Sequence, residues 1–269
     1  MRALGLLGAV LALAGAAASA QEEVPFITTP DRVTLAMLEL AVVGPRDHVI
    51  DLGSGDGRIV ITAARRFGAT GLGVEIVPEL VQKSRAIARE AGVQERVEFR
   101  EQDLFATDLG RATVVTMYLL PEVNLQLRPR LLALAPGTRV VSHDWDLGDW
   151  APDRTLTIEV PEKQVGRDKS SRVHLWVVPA RVHGLWCAAG ASLEIAQRFQ
   201  RFSATLVAAG RPGPPVVFDG RLDGRTLHAT GSQVAVLALE AAGLRVAADG
   251  GGTGLAGRVF APAGPRGCR

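Results

Sequence analysis

The chain has 269 residues, 47% of them hydrophobic, and a formal net charge of +2 at pH 7. That length allows one sizeable core and a second, smaller one. The near-neutral balance, with only Lys83, Lys163 and Lys169 beside many arginines, excludes the basic footprint of a nucleic-acid binder, so no nucleic-acid partner is expected.

Residues 1–20 carry Arg2, an apolar stretch from Leu4 to Ala18, and Ala18-Ser19-Ala20 before Gln21. This reads as a secretory signal peptide with its small-residue cleavage site, which predicts an exported, periplasmic protein. The apolar stretch falls short of the roughly 20 residues that span a bilayer, so an inner-membrane anchor is the alternative, with membrane association as its consequence. Thr29-Pro30-Asp31 then predicts a helix start, with a capping hydroxyl, a proline in the first turn and an early acid, followed by Val33, Met37 and Leu40 at helical spacing.

His48 to Leu52 is a short apolar run stopped by Gly53, as a buried parallel strand would be, and Arg58 to Phe67 follows as a helix up to Gly68. The alternation continues: Thr70 to Glu75 as strand, Pro78 to Ala91 as helix closed by Gly92, Val97 to Glu101 and Ala112 to Tyr118 as strands. Pro121 opens a further helical segment that Pro129 is expected to divide in two. Thr138 to His143 predicts a fifth strand, and Thr155 to Val160 with Arg172 to Val178, lacking a helix between them, predict an antiparallel hairpin. The fold class is therefore α/β, a Rossmann-like seven-strand sheet over residues 21–180. Beyond Pro179, glycines, prolines and short apolar alternations, with turn signals at Asp219-Gly220 and Asp223-Gly224, predict a small β-rich domain over residues 181–269. Glu194 to Ala208 reads equally well as a helix. The two cysteines, Cys187 and Cys268, suit either one disulfide or two unrelated thiols.

The candidate ligand site is the run VIDLGSGDGR, Val49 to Arg58. A dinucleotide fold needs Gly-x-Gly-x-x-Gly, and after Gly53 and Gly55 the third position is Arg58, which disfavours a dinucleotide. An acid at a strand end, Asp51, followed by Gly53, Gly55 and Gly57 lets the backbone approach an uncharged or zwitterionic ligand whose amino group the acid can attract, with Ser54 and Asp56 in the same loop. Glu75 closes the second strand, where a carboxylate can accept from both ribose hydroxyls. Asp103 follows the third strand, where it can accept from an adenine amino group while Leu104 and Phe105 wall the ring. Any one of these acids is ordinary as a solvated side chain or a cap. Three of them at successive strand ends lie where open α/β sheets bind ligands.

Over about residues 28–178 the sequence resembles the seven-strand S-adenosylmethionine-dependent methyltransferases. DLGSGDGRIVI, the Thr29-Pro30 helix start, Asp103-Leu104-Phe105 and Leu119-Leu120-Pro121 together resemble a narrower group, the bacterial and archaeal relatives of the lysine methyltransferases acting on the mitochondrial ATP synthase c subunit and the adenine nucleotide translocase. The resemblance implies S-adenosyl-L-methionine as cofactor, contacted by Asp51, Gly53, Gly55, Glu75 and Asp103. It also implies a protein lysine as the leading methyl acceptor. Phe105 stands where a tryptophan is common in that group, and the leader and the β-rich tail lie outside the matched region.

Methyl transfer from a sulfonium is an in-line displacement, which needs alignment and dryness more than special side chains. Tyr118, the only tyrosine, falls at the end of the fourth strand, from which it can orient an amine, and Asp144 follows the fifth strand; these two are the expected catalytic residues. A core aromatic is the plain alternative for Tyr118. Trp145 and Trp150, beside Asp144 and Asp146, suit either a cation–π clasp for a lysine or an apolar flap. No metal is expected. Other readings are a small-molecule amine methyltransferase and an aminopropyltransferase, the latter disfavoured because Met117-Tyr118-Leu119-Leu120 supplies no acids. A non-catalytic exported nucleoside-binding protein is a further one, which intact Asp51, Glu75 and Asp103 oppose.

Overall fold

The computed structural model describes residues 27–163, 168–209, 214–230, 234–249 and 254–268. The expected leader lies outside them. Among the described residues, no helix is long and apolar enough to cross a membrane.

The first unit is an α/β sheet. Strands β1 (His48–Leu52), β2 (Thr70–Glu75), β3 (Val97–Glu101), β4 (Val114–Met117), β5 (Arg139–His143), β6 (Arg154–Glu159) and β7 (Ser170–Val177) are ordered β3-β2-β1-β4-β5-β7-β6. β7 alone runs opposite to the other six strands. Helices α1 (Asp31–Leu40), α2 (Arg58–Phe67), α3 (Pro78–Glu90) and α4 (Pro121–Leu131) complete it. The two-residue period of the strands sorts side chains onto two faces. Val49, Val114, Val141, Val173 and Leu175 pack with Val33 and Met37 of α1, whereas their neighbours Ile50, Val115, Val140 and Trp176 pack with Leu127 and Leu131 of α4.

Two expectations fail here. Pro129 does not divide α4, which runs unbroken to Leu131. The carbonyl that loses its amide partner belongs to Leu125, on the exposed side of the helix, where water can satisfy it. Thr29 does not cap α1: the N-cap is Pro30, without a side-chain bond, and the Thr29 hydroxyl points elsewhere, to His143.

The second unit is a closed eight-strand barrel of β8 (Gly184–Ala188), β9 (Ala191–Arg198), β10 (Arg201–Ala208), β11 (Val216–Asp223), β12 (Thr226–Thr230), β13 (Val234–Glu240), β14 (Gly243–Asp249) and β15 (Val259–Pro262). Closure removes the free edges that an open sheet this small would expose. Leu193 and Ile195 of β9 and Phe202, Ala204 and Leu206 of β10 alternate into its core, so the stretch from Glu194 to Ala208 is a hairpin and not a helix. Gly220 lies so close to Phe202 and the His228 carbonyl, at 2.4 Å from an imagined Cβ, that no larger residue fits. Cys187 and Cys268 form a disulfide that ties the C-terminal segment to β8.

The units meet on the segment after β5. Trp150, fully buried, packs on Trp176 of the sheet and is stacked 6.2 Å from Phe199, at the tip of the β9–β10 hairpin. Gln200 donates to the Ala151 carbonyl at 2.6 Å, Arg198 pairs with Asp149 at 3.2 Å, and Arg221 pairs with Asp153.

Candidate active site

Between β1 and α2 the backbone enters the left-handed region at each alternate glycine, with φ of 72° at Gly53, 53° at Gly55 and 78° at Gly57. The spacing has a packing reason as well. A Cβ on Gly57 would lie 2.6 Å from the Phe99 ring of β3, and one on Gly53 would lie 2.9 Å from Leu119. Gly53 and Ser54 donate their amides to the Val74 carbonyl at 3.0 and 2.9 Å, which fixes the loop against β2.

Glu75 sits beneath this loop. Its Oε2 accepts from the Gly55 amide at 2.9 Å, and its Oε1 from the amides of Ile76 and Val77 at 2.8 and 3.1 Å. Asp51 is 2% exposed and accepts from the Thr116 hydroxyl at 2.7 Å. Burial, reinforced by the carboxylates of Glu75 and Asp56 and opposed by Thr116, pushes its pKa up to about 8. Asp56 is buried too, and burial alone would raise its pKa. The Arg58 guanidinium, at 2.7 and 2.9 Å, prevails and holds it below the usual carboxylate range. Arg58 also donates to the Thr29 carbonyl at 2.9 Å. In the sequence Arg58 registers only as a missing glycine; in the structure it is the clamp that sets the loop.

Asp103 follows β3 at the same edge, where its Oδ1 accepts from the Phe105 amide at 2.8 Å and caps the 3₁₀ turn Leu104–Ala106. Leu104 leans on the sheet core, and Phe105 is exposed. Asp51, Gly53, Ser54, Gly55, Asp56, Glu75, Asp103 and Leu104 thus lie along one end of β1, β2 and β3. The Ser54 hydroxyl is buried without a partner. An acid-rich edge, a buried carboxyl whose pKa burial raises, an unpartnered hydroxyl and three glycines opening the backbone together fit a ligand with an ammonium, a sulfonium and a ribose.

The other half of the edge belongs to β4, β5 and β7. Tyr118, half-buried, follows β4, and its ring centroid lies 3.9 Å from that of His143. Burial, and then the Asp144 carboxylate, raise the Tyr118 pKa, so the phenol is protonated at neutral pH. His143 ends β5 fully buried, with Nδ1 3.2 Å from the Thr29 hydroxyl and Nε2 2.9 Å from that of Ser171. Burial keeps it neutral despite Asp144 nearby. Asp144 has a left-handed φ of 62° and receives the Lys163 ammonium at 2.8 Å and the Arg172 amide at 2.9 Å. Asn124 of α4 donates to the carbonyls of Trp145 and Asp146, both at 3.3 Å. Tyr118 and Asp144 are therefore brought together around His143. The tryptophan pair is not: Trp145 is exposed, whereas Trp150 is consumed by the contact with the barrel, so the two form no clasp. Among the described residues no cluster of His, Cys, Asp and Glu is arranged to hold a metal.

Strand order, glycine loop and acid edge define a Rossmann-like, S-adenosylmethionine-dependent methyltransferase. Residues 51–154 match the ANTKMT methyltransferase domain. A "Protein-lysine N-methyltransferase" of Saccharolobus islandicus (strain REY15A) is 44% identical over 138 residues, which are 51% of this chain and 86% of that protein. The mouse lysine N-methyltransferase for the ATP synthase c subunit is 38% identical over 41% of this chain, and the match spans only 44% of the mouse protein. Among solved structures, an RNA methyltransferase from Salinibacter ruber in complex with S-adenosyl-L-homocysteine is 54% identical, with a TM-score of 0.53, covering 58% of this chain and 96% of that one. The chain belongs to the methyltransferase family that the ANTKMT domain defines.

Proposed function

We propose that this methyltransferase transfers a methyl group to the side-chain amine of a protein lysine. The cofactor supplies, when bound, a methyl group on a sulfonium sulfur. Asp51 and Glu75 anchor its charged and hydroxylated parts, the glycine loop admits it closely, and the half-buried Tyr118 beside the buried His143 lines the acceptor side. The observation that carries the lysine reading is the kinship with the Saccharolobus protein-lysine enzyme over 86% of that protein's length. The acceptor edge agrees: its acid, Asp144, already holds a primary ammonium, that of Lys163, at 2.8 Å.

A second reading, methylation of RNA, is favoured by the Salinibacter relative's description. Incubation of the protein with radiolabelled cofactor and cell extract separates the two. Label that is removed by protease and recovered as methyl-lysine is expected. Label removed by ribonuclease would overturn the lysine reading.

For the chain's location we propose export directed by residues 1–20. The Cys187–Cys268 disulfide supports this, since such bonds persist in oxidising compartments. Sequencing the mature N-terminus is expected to give Gln21; Met1 on a membrane-bound form would favour an inner-membrane anchor.

A further inference from the structure

We propose that His143 is a positioning residue that aims Tyr118 at the acceptor amine, and that the Thr29 hydroxyl fixes His143 for that task. The inference rests on Tyr118 facing the acceptor.

His143 cannot touch an acceptor itself, being 1% exposed. What it offers the acceptor side is the face of its ring, 3.9 Å from the Tyr118 ring and tilted by 32°. A ring in such contact restrains a phenol only if its own rotation is stopped. Both of its nitrogens are engaged, Nδ1 with Thr29 and Nε2 with Ser171, by hydroxyls that can each donate or accept and so satisfy either neutral tautomer. Asp144 adds a third contact, 3.5 Å from Nε2.

Thr29 lies 114 residues before His143, just ahead of α1. Its two polar groups face two ways: the carbonyl receives Arg58, which grips Asp56 of the glycine loop, and the hydroxyl meets His143. One residue therefore ties the cofactor loop to the acceptor edge. This accounts for the absence of a side-chain cap on α1, where a threonine ahead of Pro30-Asp31 would be expected to serve.

The test is a kinetic double-mutant cycle on the full chain. Thr29→Val keeps shape and the main-chain bond to Arg58 but removes the hydroxyl. It is expected to lower kcat on the order of tenfold, within the hundredfold that a misplacement of about 1 Å can cost, and to leave affinity for S-adenosylhomocysteine unchanged. Thr29→Ser is expected to restore kcat. In a Tyr118→Phe background Thr29→Val should cost nothing further, because the group being aimed is gone. His143→Phe, which keeps a ring but no nitrogens, should behave as Thr29→Val does; if that variant fails to fold, the Thr29 cycle stands alone. Full additivity of Thr29→Val and Tyr118→Phe would overturn the proposal. A Tyr118→Phe enzyme with undiminished kcat would instead refute the placement of Tyr118 against the acceptor.

Discussion

The sheet unit and the barrel are packed by the same rule and differ in what they bury. Both sort apolar side chains by the two-residue period of their strands. The sheet unit also encloses Asp51, Ser54, Asp56, Thr116, Asn124, Ser142, His143, Ser171 and His174, whereas Gln200 is the one polar side chain counted as buried among the described residues of the barrel. Even Gln200 donates outward, to Ala151 of the sheet unit. Burying a polar group is costly without a specific partner. The difference therefore separates a body built around chemistry from one built to pack, whose buried glutamine is turned toward its neighbour.

That contrast predicts how the two units hold together. An apolar stack should dominate over the ion pairs at its rim. Trp150→Ala removes a fully buried side chain that packs on both Trp176 and Phe199, and is expected to cost about 4 kcal/mol in denaturant unfolding. Arg221→Ala breaks the pair with Asp153 from a side chain that is 42% exposed, and should cost under about 1 kcal/mol. The reverse order would mean that the barrel is attached by charge.

The same contrast marks what could be read from the sequence. The placement of the candidate cofactor residues was legible because they are contiguous: Asp51, Gly53, Gly55 and Gly57 lie in one loop, and Glu75 and Asp103 at the next two strand ends. The proposed acceptor edge was legible only residue by residue. Tyr118 and Asp144 are visible as strand-end residues, but the contact between Thr29 and His143 joins positions 114 apart, and local grammar assigns Thr29 to a cap. Arg58 signals in the sequence only the lack of a third glycine, because its partners Asp56 and the Thr29 carbonyl are set by the fold. The β9–β10 hairpin was ambiguous because its tip, Arg198-Phe199-Gln200, carries no glycine. Phe199 itself takes the left-handed turn, at φ of 52°, and is held there by Trp150, a partner that no local pattern announces.

Asp51 links these features to function. Unfolded, this carboxyl ionises near its ordinary 3.8; folded, burial moves it to about 8. Its contribution to stability is therefore unperturbed below pH 3.8, becomes progressively unfavourable as pH rises above it, and levels off above about pH 8. A ligand ammonium that stabilises the carboxylate reverses that cost and releases a proton as it binds. Calorimetric titration of S-adenosylhomocysteine from pH 6 to pH 9 into the wild-type chain and Asp51→Asn tests the site most directly. Wild-type affinity is expected to rise by up to about tenfold per pH unit up to about pH 8 and then to level. Asp51→Asn should bind about a hundredfold more weakly at pH 8, with no rise in affinity between pH 6 and pH 8. Equal affinities with the same pH profile in both proteins would contradict the assignment of the cofactor to this loop.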